Sequence, residues 1–234
     1  MKFGGFQRSS LIEYPDKVSA VVFTLGCNFR CPFCQNYQLV IPEHFPKKLY
    51  DEKEILEYLK KRKGLLDALS ITGGEPTIHG EQLLEFMRKV KNLGYLVQLE
   101  TNGSNPKFLK KVINEKLVDY LAMDIKAPFE KYPIVTGVSN LDISLISESI
   151  SIVMNSGVEY EFRTTLHPLL SINDFKKIAQ MIKGAKVYYL QKYENENVLD
   201  LKLRNQNPFT YRDALKIKEI VKPYVKSVFI RGFV

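Results

Sequence analysis

Short apolar runs alternate with amphipathic stretches along this 234-residue chain, and that alternation restricts the fold more than any other feature. The runs fall at 19–25, 68–72, 95–100, 118–124, 158–164, 186–191 and 227–230. Between them apolar side chains recur at helical spacing, as in Leu83, Leu84, Met87 and Val90, or Ile146, Ile150, Val153 and Met154. Repeats of this kind pair as parallel strands with their helices packed on the sheet. The expected fold class is α/β, with six βα units and a seventh strand, nearer a partial (β/α)6 TIM-like barrel than a five-stranded doubly wound sheet. Asp51 is placed to cap the helix holding Ile55, Leu56 and Leu59, while Gly94 and Gly157 sit just beyond two others. The longer irregular pieces are 35–50, 127–141 and 193–208. No Pro/Gly/Ser-rich linker divides the chain, so the expected organisation is one domain over 1–234. Within it lie an N-terminal extension over 1–18, a core barrel over about 19–192, and a C-terminal helix and strand over about 209–234.

A hydrophobic fraction of 45% with 26% charged residues is ordinary globular composition, which argues against disorder and fibrous structure. No apolar run reaches the roughly 18 residues of a membrane span, and the first residues lack the apolar core of a secretory signal. A soluble, cytoplasmic protein with no membrane partner is expected. The 34 Lys+Arg exceed the 26 Asp+Glu, giving a net charge of +8. The excess lies in segments of helical pattern such as Lys60-Lys61-Arg62-Lys63, Lys110-Lys111 and Lys176-Lys177, so solvated helix faces explain it without a nucleic-acid partner.

All three cysteines, Cys27, Cys31 and Cys34, lie on one short loop directly after the first strand, too local for a disulfide framework. A structural zinc ion usually takes four protein ligands, and the nearest fourth candidate is His44. Three-cysteine ligation of a [4Fe–4S] cluster leaves one iron open for chemistry. The next strand runs into Gly73-Gly74-Glu75-Pro76, where two glycines let backbone approach a ligand and a carboxylate stands beside them. Taken together, Cys27-x3-Cys31-x-Phe33-Cys34 and Gly73-Gly74-Glu75 resemble the signature of the radical S-adenosylmethionine (SAM) superfamily, with Phe33 as its aromatic. That resemblance implies a barrel of the radical SAM type, a [4Fe–4S] cluster on the three cysteines, and SAM bound at the open iron. It implies cleavage of SAM to a 5′-deoxyadenosyl radical that abstracts hydrogen.

Ligand groups of such barrels gather at the C-terminal ends of the strands. Here those ends carry Glu100-Thr101-Asn102-Gly103, Asp124-Ile125-Lys126, Arg163 and Gln191. Cys34-Gln35-Asn36, Glu100-Thr101-Asn102-Gly103, Asp124-Ile125-Lys126 and Arg163 resemble motifs of the activating enzymes of glycyl-radical enzymes. The resemblance assigns SAM contacts to Asn36, Lys126 and Arg163, and a monovalent cation to Glu100, Asp124 and Thr101. Glu100 stands where those relatives have Asp, one methylene shorter. The opening 3–16 and the segment 23–31 are similar to anaerobic ribonucleoside-triphosphate reductase activating proteins. The implied partners are a glycyl-radical enzyme client and a reducing electron donor such as flavodoxin or ferredoxin. No cysteine follows Cys34, so auxiliary clusters are not expected. His79 and His167 read as turn or surface histidines, and Tyr188, Tyr189, Tyr193, Phe229, Arg231 and Phe233 as core and rim. A small-molecule radical SAM enzyme, such as a 7-carboxy-7-deazaguanine synthase-like one, and a non-catalytic zinc or iron–sulfur protein are the competing readings.

Overall fold

The computed structural model describes residues 1–233. Among them the strands form a single sheet in the order β3-β1-β2-β4-β5-β6-β7-β8-β9. They are β1 (Lys2–Ser10), β2 (Ser19–Thr24), β3 (Tyr50–Asp51), β4 (Ala68–Gly73), β5 (Leu96–Thr101), β6 (Tyr120–Asp124), β7 (Glu159–Thr165), β8 (Val187–Gln191) and β9 (Ser227–Arg231). From β2 to β9 every neighbouring pair except those of β1 and β3 is parallel. Each crossover carries helix: α1 (Tyr37–Val40) and α2 (Glu52–Lys61) before β4, α3 (Glu81–Asn92), α4 (Pro106–Asn114), then α5 (Tyr132–Thr136) with α6 (Ile143–Asn155), α7 (Ile172–Met181) and α8 (Tyr211–Val221). The seven expected strands are present within two residues of the expected limits.

Alternation along the parallel strands sorts the side chains. Leu69, Ile71, Val97, Leu99, Leu121, Met123, Phe162 and Leu190 point to the buried helix-covered side. Burying each contributes about 1.5–3 kcal/mol. The intervening positions, Thr72, Glu100, Asp124, Arg163 and Gln191, are polar and line one shared cavity. For positions on β4 through β8 to meet in this way the sheet must curl, and its linear strand order leaves it open as a partial barrel.

The N-terminal extension over 1–18 carries β1, which pairs antiparallel with β2 along most of its length and takes the two-residue β3 on its outer side. Two expectations change. Asp51 stands at the N-cap of α2 but makes no side-chain capping bond. The irregular pieces contain α1, α5 and short 3-10 turns. The C-terminal helix and strand are α8 and β9, and Val234, the last residue of the expected 209–234 segment, lies outside the described residues. The lysine-rich segments are exposed as expected, and Lys110, Lys111 and Lys177 pair with carboxylates of Glu148, Glu81 and Glu130. Among the described residues no helix is long and apolar enough to cross a membrane.

Candidate active site

Two glycines set where the cysteine loop can lie. Gly73 has φ +118°, and a Cβ there would stand 2.3 Å from the backbone nitrogen of Thr24. A Cβ on Gly74 would stand 1.8 Å from the carbonyl oxygen of Gly26, the residue before Cys27. Only glycine lets the end of β4 touch the start of the cysteine loop. The contact is made by backbone bonds, with Gly74 N–H donating to Thr24 O (3.0 Å) and Glu75 N–H to Gly26 O (2.8 Å). From its outer sides the loop is held by Arg30 N–H on Thr136 O at 2.7 Å, and by Asp200 N–H and Leu199 N–H on Pro32 O and Cys34 O.

A cavity of about 390 Å³ opens at this edge of the sheet. All the residues singled out in the sequence line it: Cys27, Cys31, Phe33, Cys34, Asn36, Gly73, Gly74, Glu75, Glu100, Thr101, Asn102, Asp124, Lys126, Arg163 and Gln191. Burial pushes the Cys27 thiol up to about 11 and that of Cys31 to about 12, and raises Cys34 as well. Buried thiols of this kind become thiolates on binding a metal centre, so the donor set fits an iron–sulfur cluster. Donors already face Cys27 Sγ, from Phe29 N–H at 3.3 Å and Asn102 Nδ2 at 3.8 Å. Among the described residues no set of three His, Cys, Asp or Glu is arranged to hold a single metal ion, and His44 packs edge-on against Tyr37.

The polar groups divide into fasteners and free ends. Glu75 is buried, with one carboxylate oxygen accepting from Thr77 N–H, Thr77 hydroxyl and Thr101 hydroxyl, and the other from Asn102 N–H at 2.7 Å. It ties the β4 loop to the end of β5. Burial nevertheless raises its pKa above the usual carboxylate range. Arg163 donates from Nη1 to Glu100 at 2.9 Å, with its Nη2 2.8 Å from the other Glu100 oxygen, and reaches Asp124 at 3.2 Å. The carboxylates of Glu100 and Asp124 meet on Arg163, and the Thr101 hydroxyl donates to Glu75. Asp124 also accepts from Lys126 Nζ at 2.8 Å. Burial opposes ionisation of Asp124, Lys126 and Arg163, but their mutual attraction outweighs it, lowering the acid and raising both bases. Asn36 is lightly held, with its Nδ2 3.4 Å from Gly73 O.

Several cavity residues were not singled out in the sequence. Thr72 shares strand parity with Gly74, and Thr165 with Arg163, and counting alternate positions along the strand ends would find them. Glu13 comes from the turn between β1 and β2, which has no periodic signal. Arg231, read as rim, turns inward to Glu161 at 3.3 Å and lies 3.9 Å over the Tyr189 ring. His79 is the expected turn histidine, bonded to Leu25 O. His167 is not at the surface: it is fully buried, because it turns inward behind β7 and packs on Phe33.

Comparison with known proteins gives the family and the fold. The family model described as the radical SAM superfamily matches residues 21–182. A Methanocaldococcus jannaschii protein provisionally named a glycyl-radical enzyme activating enzyme is 32% identical over 229 residues, covering 95% of this chain and 92% of its own. The 7-carboxy-7-deazaguanine synthase of Thermococcus kodakarensis is 25% identical, over 82% of this chain and 79% of its own. Among solved structures, Streptococcus suis SuiB bound to S-adenosylmethionine superimposes with a TM-score of 0.69 at 13% identity. It covers 91% of this chain, which spans half of that one. A domain of the pyruvate-formate lyase-activating enzyme of Bacteroides vulgatus gives a TM-score of 0.56 at 15% identity, over 71% of this chain and 99% of its own.

Proposed function

The chain belongs to the radical SAM superfamily, and from that premise we propose that it activates a glycyl-radical enzyme, with an anaerobic ribonucleoside-triphosphate reductase as client. The observation that carries the reading is one cavity lined by three thiols, a double-glycine contact and strand-end polar groups, in a sheet left open on one flank. In this reading Cys27, Cys31 and Cys34 hold the [4Fe–4S] cluster, and Asn36, Lys126 and Arg163 contact SAM. Bound there, the cluster and SAM supply one-electron chemistry that ends in hydrogen abstraction, here from a glycine Cα of the client.

The chain's own residues orient the cofactors. Lys126 and Arg163 stay charged because Asp124 and Glu100 neutralise them within the protein, so both keep fixed positions in the cavity without a solvent counter-ion. That internal pairing supplies as guanidinium the positive charge a monovalent cation would bring. Glu75 holds the ends of β4 and β5 at fixed spacing, which sets the width of the cavity. Phe33 and Phe29 close the cysteine loop against water. An electron donor of the flavodoxin or ferredoxin type completes the scheme.

A second reading, a radical SAM enzyme for a small molecule of the deazaguanine synthase type, is favoured by the charged Glu161–Arg231 pair beside Arg163, whose Nε lies 3.8 Å from Glu161. One experiment separates them. The anaerobically reconstituted and reduced protein is mixed with SAM and a candidate client, and electron paramagnetic resonance is recorded. A glycyl-type doublet is expected, and Ala at any of the three cysteines should abolish iron binding and the doublet together. SAM cleavage with a pterin-like substrate, magnesium-dependent and without any protein client, would transfer the assignment to the second reading.

A further inference from the structure

His167 follows β7 in a tight turn in which its N–H donates to Thr165 O at 2.9 Å and its carbonyl accepts from Leu170 N–H at 3.1 Å. Its ring lies parallel to that of Phe33, with centroids 3.8 Å apart and planes 15° from one another. Phe33 stands between Cys31 and Cys34 and lines the cavity. Nε2 of His167 lies 3.1 Å from the carbonyl oxygen of Lys126 and must carry the proton, since a carbonyl only accepts. The other nitrogen, Nδ1, is buried and has no partner among the described residues. One side chain thus touches the cysteine loop and the lysine at the end of β6, from a third element.

We propose that His167 is a positioning residue for SAM binding, which sets Lys126 against the cysteine loop through its bond to the Lys126 carbonyl and its stack on Phe33. Packing alone does not explain an imidazole here. A phenyl ring would stack as well and would leave no buried nitrogen without a partner. What the imidazole adds is the single bond to Lys126. On the other side Lys126 N–H donates to the Tyr132 hydroxyl at 3.2 Å, and the residue before it is tied to β7, with Ile125 N–H donating to Arg163 O and the Thr164 hydroxyl to Ile125 O, both at 2.8 Å. The bonds to Tyr132 and His167 fix the peptide on both sides of Lys126, and so fix where its side chain starts. Burial pushes the imidazole pKa down to about 3, so the ring is neutral and does not compete with the Lys126 ammonium.

The proposal rests on the radical SAM site described above and not on the identity of the client. Its test therefore needs no client. H167F keeps a ring on Phe33 and loses the bond, while H167Q places an amide donor where Nε2 stands. Each holoprotein, reconstituted anaerobically, is compared with wild type for iron per chain, melting temperature and SAM dissociation constant, the last read from the change in the cluster's paramagnetic spectrum on titration. H167F is expected to bind iron at the wild-type ratio and to bind SAM roughly tenfold more weakly, the size of one lost buried hydrogen bond. H167Q is expected to recover most of that loss. Wild-type SAM affinity in H167F overturns the proposal. Loss of iron and a fall in melting temperature in both variants also overturn it, since His167 would then only support the loop. If wild type itself gives no spectral change with SAM, the site reading fails first, and that result is distinct from either outcome.

Discussion

At Gly74 the backbone of one loop occupies the space where any other residue would put its first side-chain carbon. G74A must separate the β4 end from the cysteine loop, breaking the Glu75–Gly26 bond. We expect a loss of about 3 kcal/mol or more in urea unfolding, together with loss of iron binding. Glu13 offers a test of opposite sign. Burial first, and the nearby Glu100 second, raise its carboxyl pKa. The folded protein then keeps a proton that the unfolded chain releases near about pH 4.3, so Glu13 subtracts stability as pH rises through its folded value. E13Q cannot titrate, so its melting temperature should exceed that of wild type at pH 8, with a gap that narrows towards pH 5. A gap independent of pH would refute this account. The chemistry-bearing positions were legible in sequence because strand-end residues announce themselves by type and spacing. What each does there was less so. Glu75, Thr101 and Glu100 look like ligands in a motif, yet Glu75 accepts from Thr101 and Asn102 and Glu100 accepts from Arg163, pairings that exist only once β4 to β7 have assembled into the sheet.

Among the elements, those with a strong period were readable and those that depend on a neighbour were not. The parallel strands are apolar on one side and bounded by helices with a clear face. β1, by contrast, carries Gly4 and Gly5 and alternates poorly, and β2 makes it a strand by pairing with it. Helix starts show the same contrast. Asp51 has the residue type of a cap but no capping bond, so D51A should change stability by less than about 0.5 kcal/mol. Thr210 and Asp213 form a reciprocal capping box at the start of α8, with bonds of 2.6 to 3.2 Å, so T210A should cost about 1 kcal/mol in the same urea titration. The segment before α8 is exposed at Lys202 and Arg204, yet bonds to the cysteine loop through Leu199 and Asp200. Trypsin should cut first after Lys202 or Arg204, more slowly once iron is bound, as mass spectrometry of timed digests would show.

Across the whole molecule the outer and inner sides of the sheet do different work. The outer side is apolar and carries the stability. The inner side is polar, from Ser19, Ser70 and Gln98 through the Glu100–Arg163–Asp124 group to Glu161 and Arg231. A polar interior is costly to dry out, and it persists here because its charges are paired with one another. The net charge of +8 sits elsewhere, on helix surfaces where lysines face solvent or form exposed pairs of small energetic weight. The strand order ends at β9 on one side and at β3 on the other, and this has a further consequence. A reaction chamber with a missing wall cannot seal itself. If hydrogen is taken from a partner protein, that partner supplies the wall, and dryness around the reactive species belongs to the assembled pair. The free enzyme would then be protected from squandering its cofactor by being incomplete.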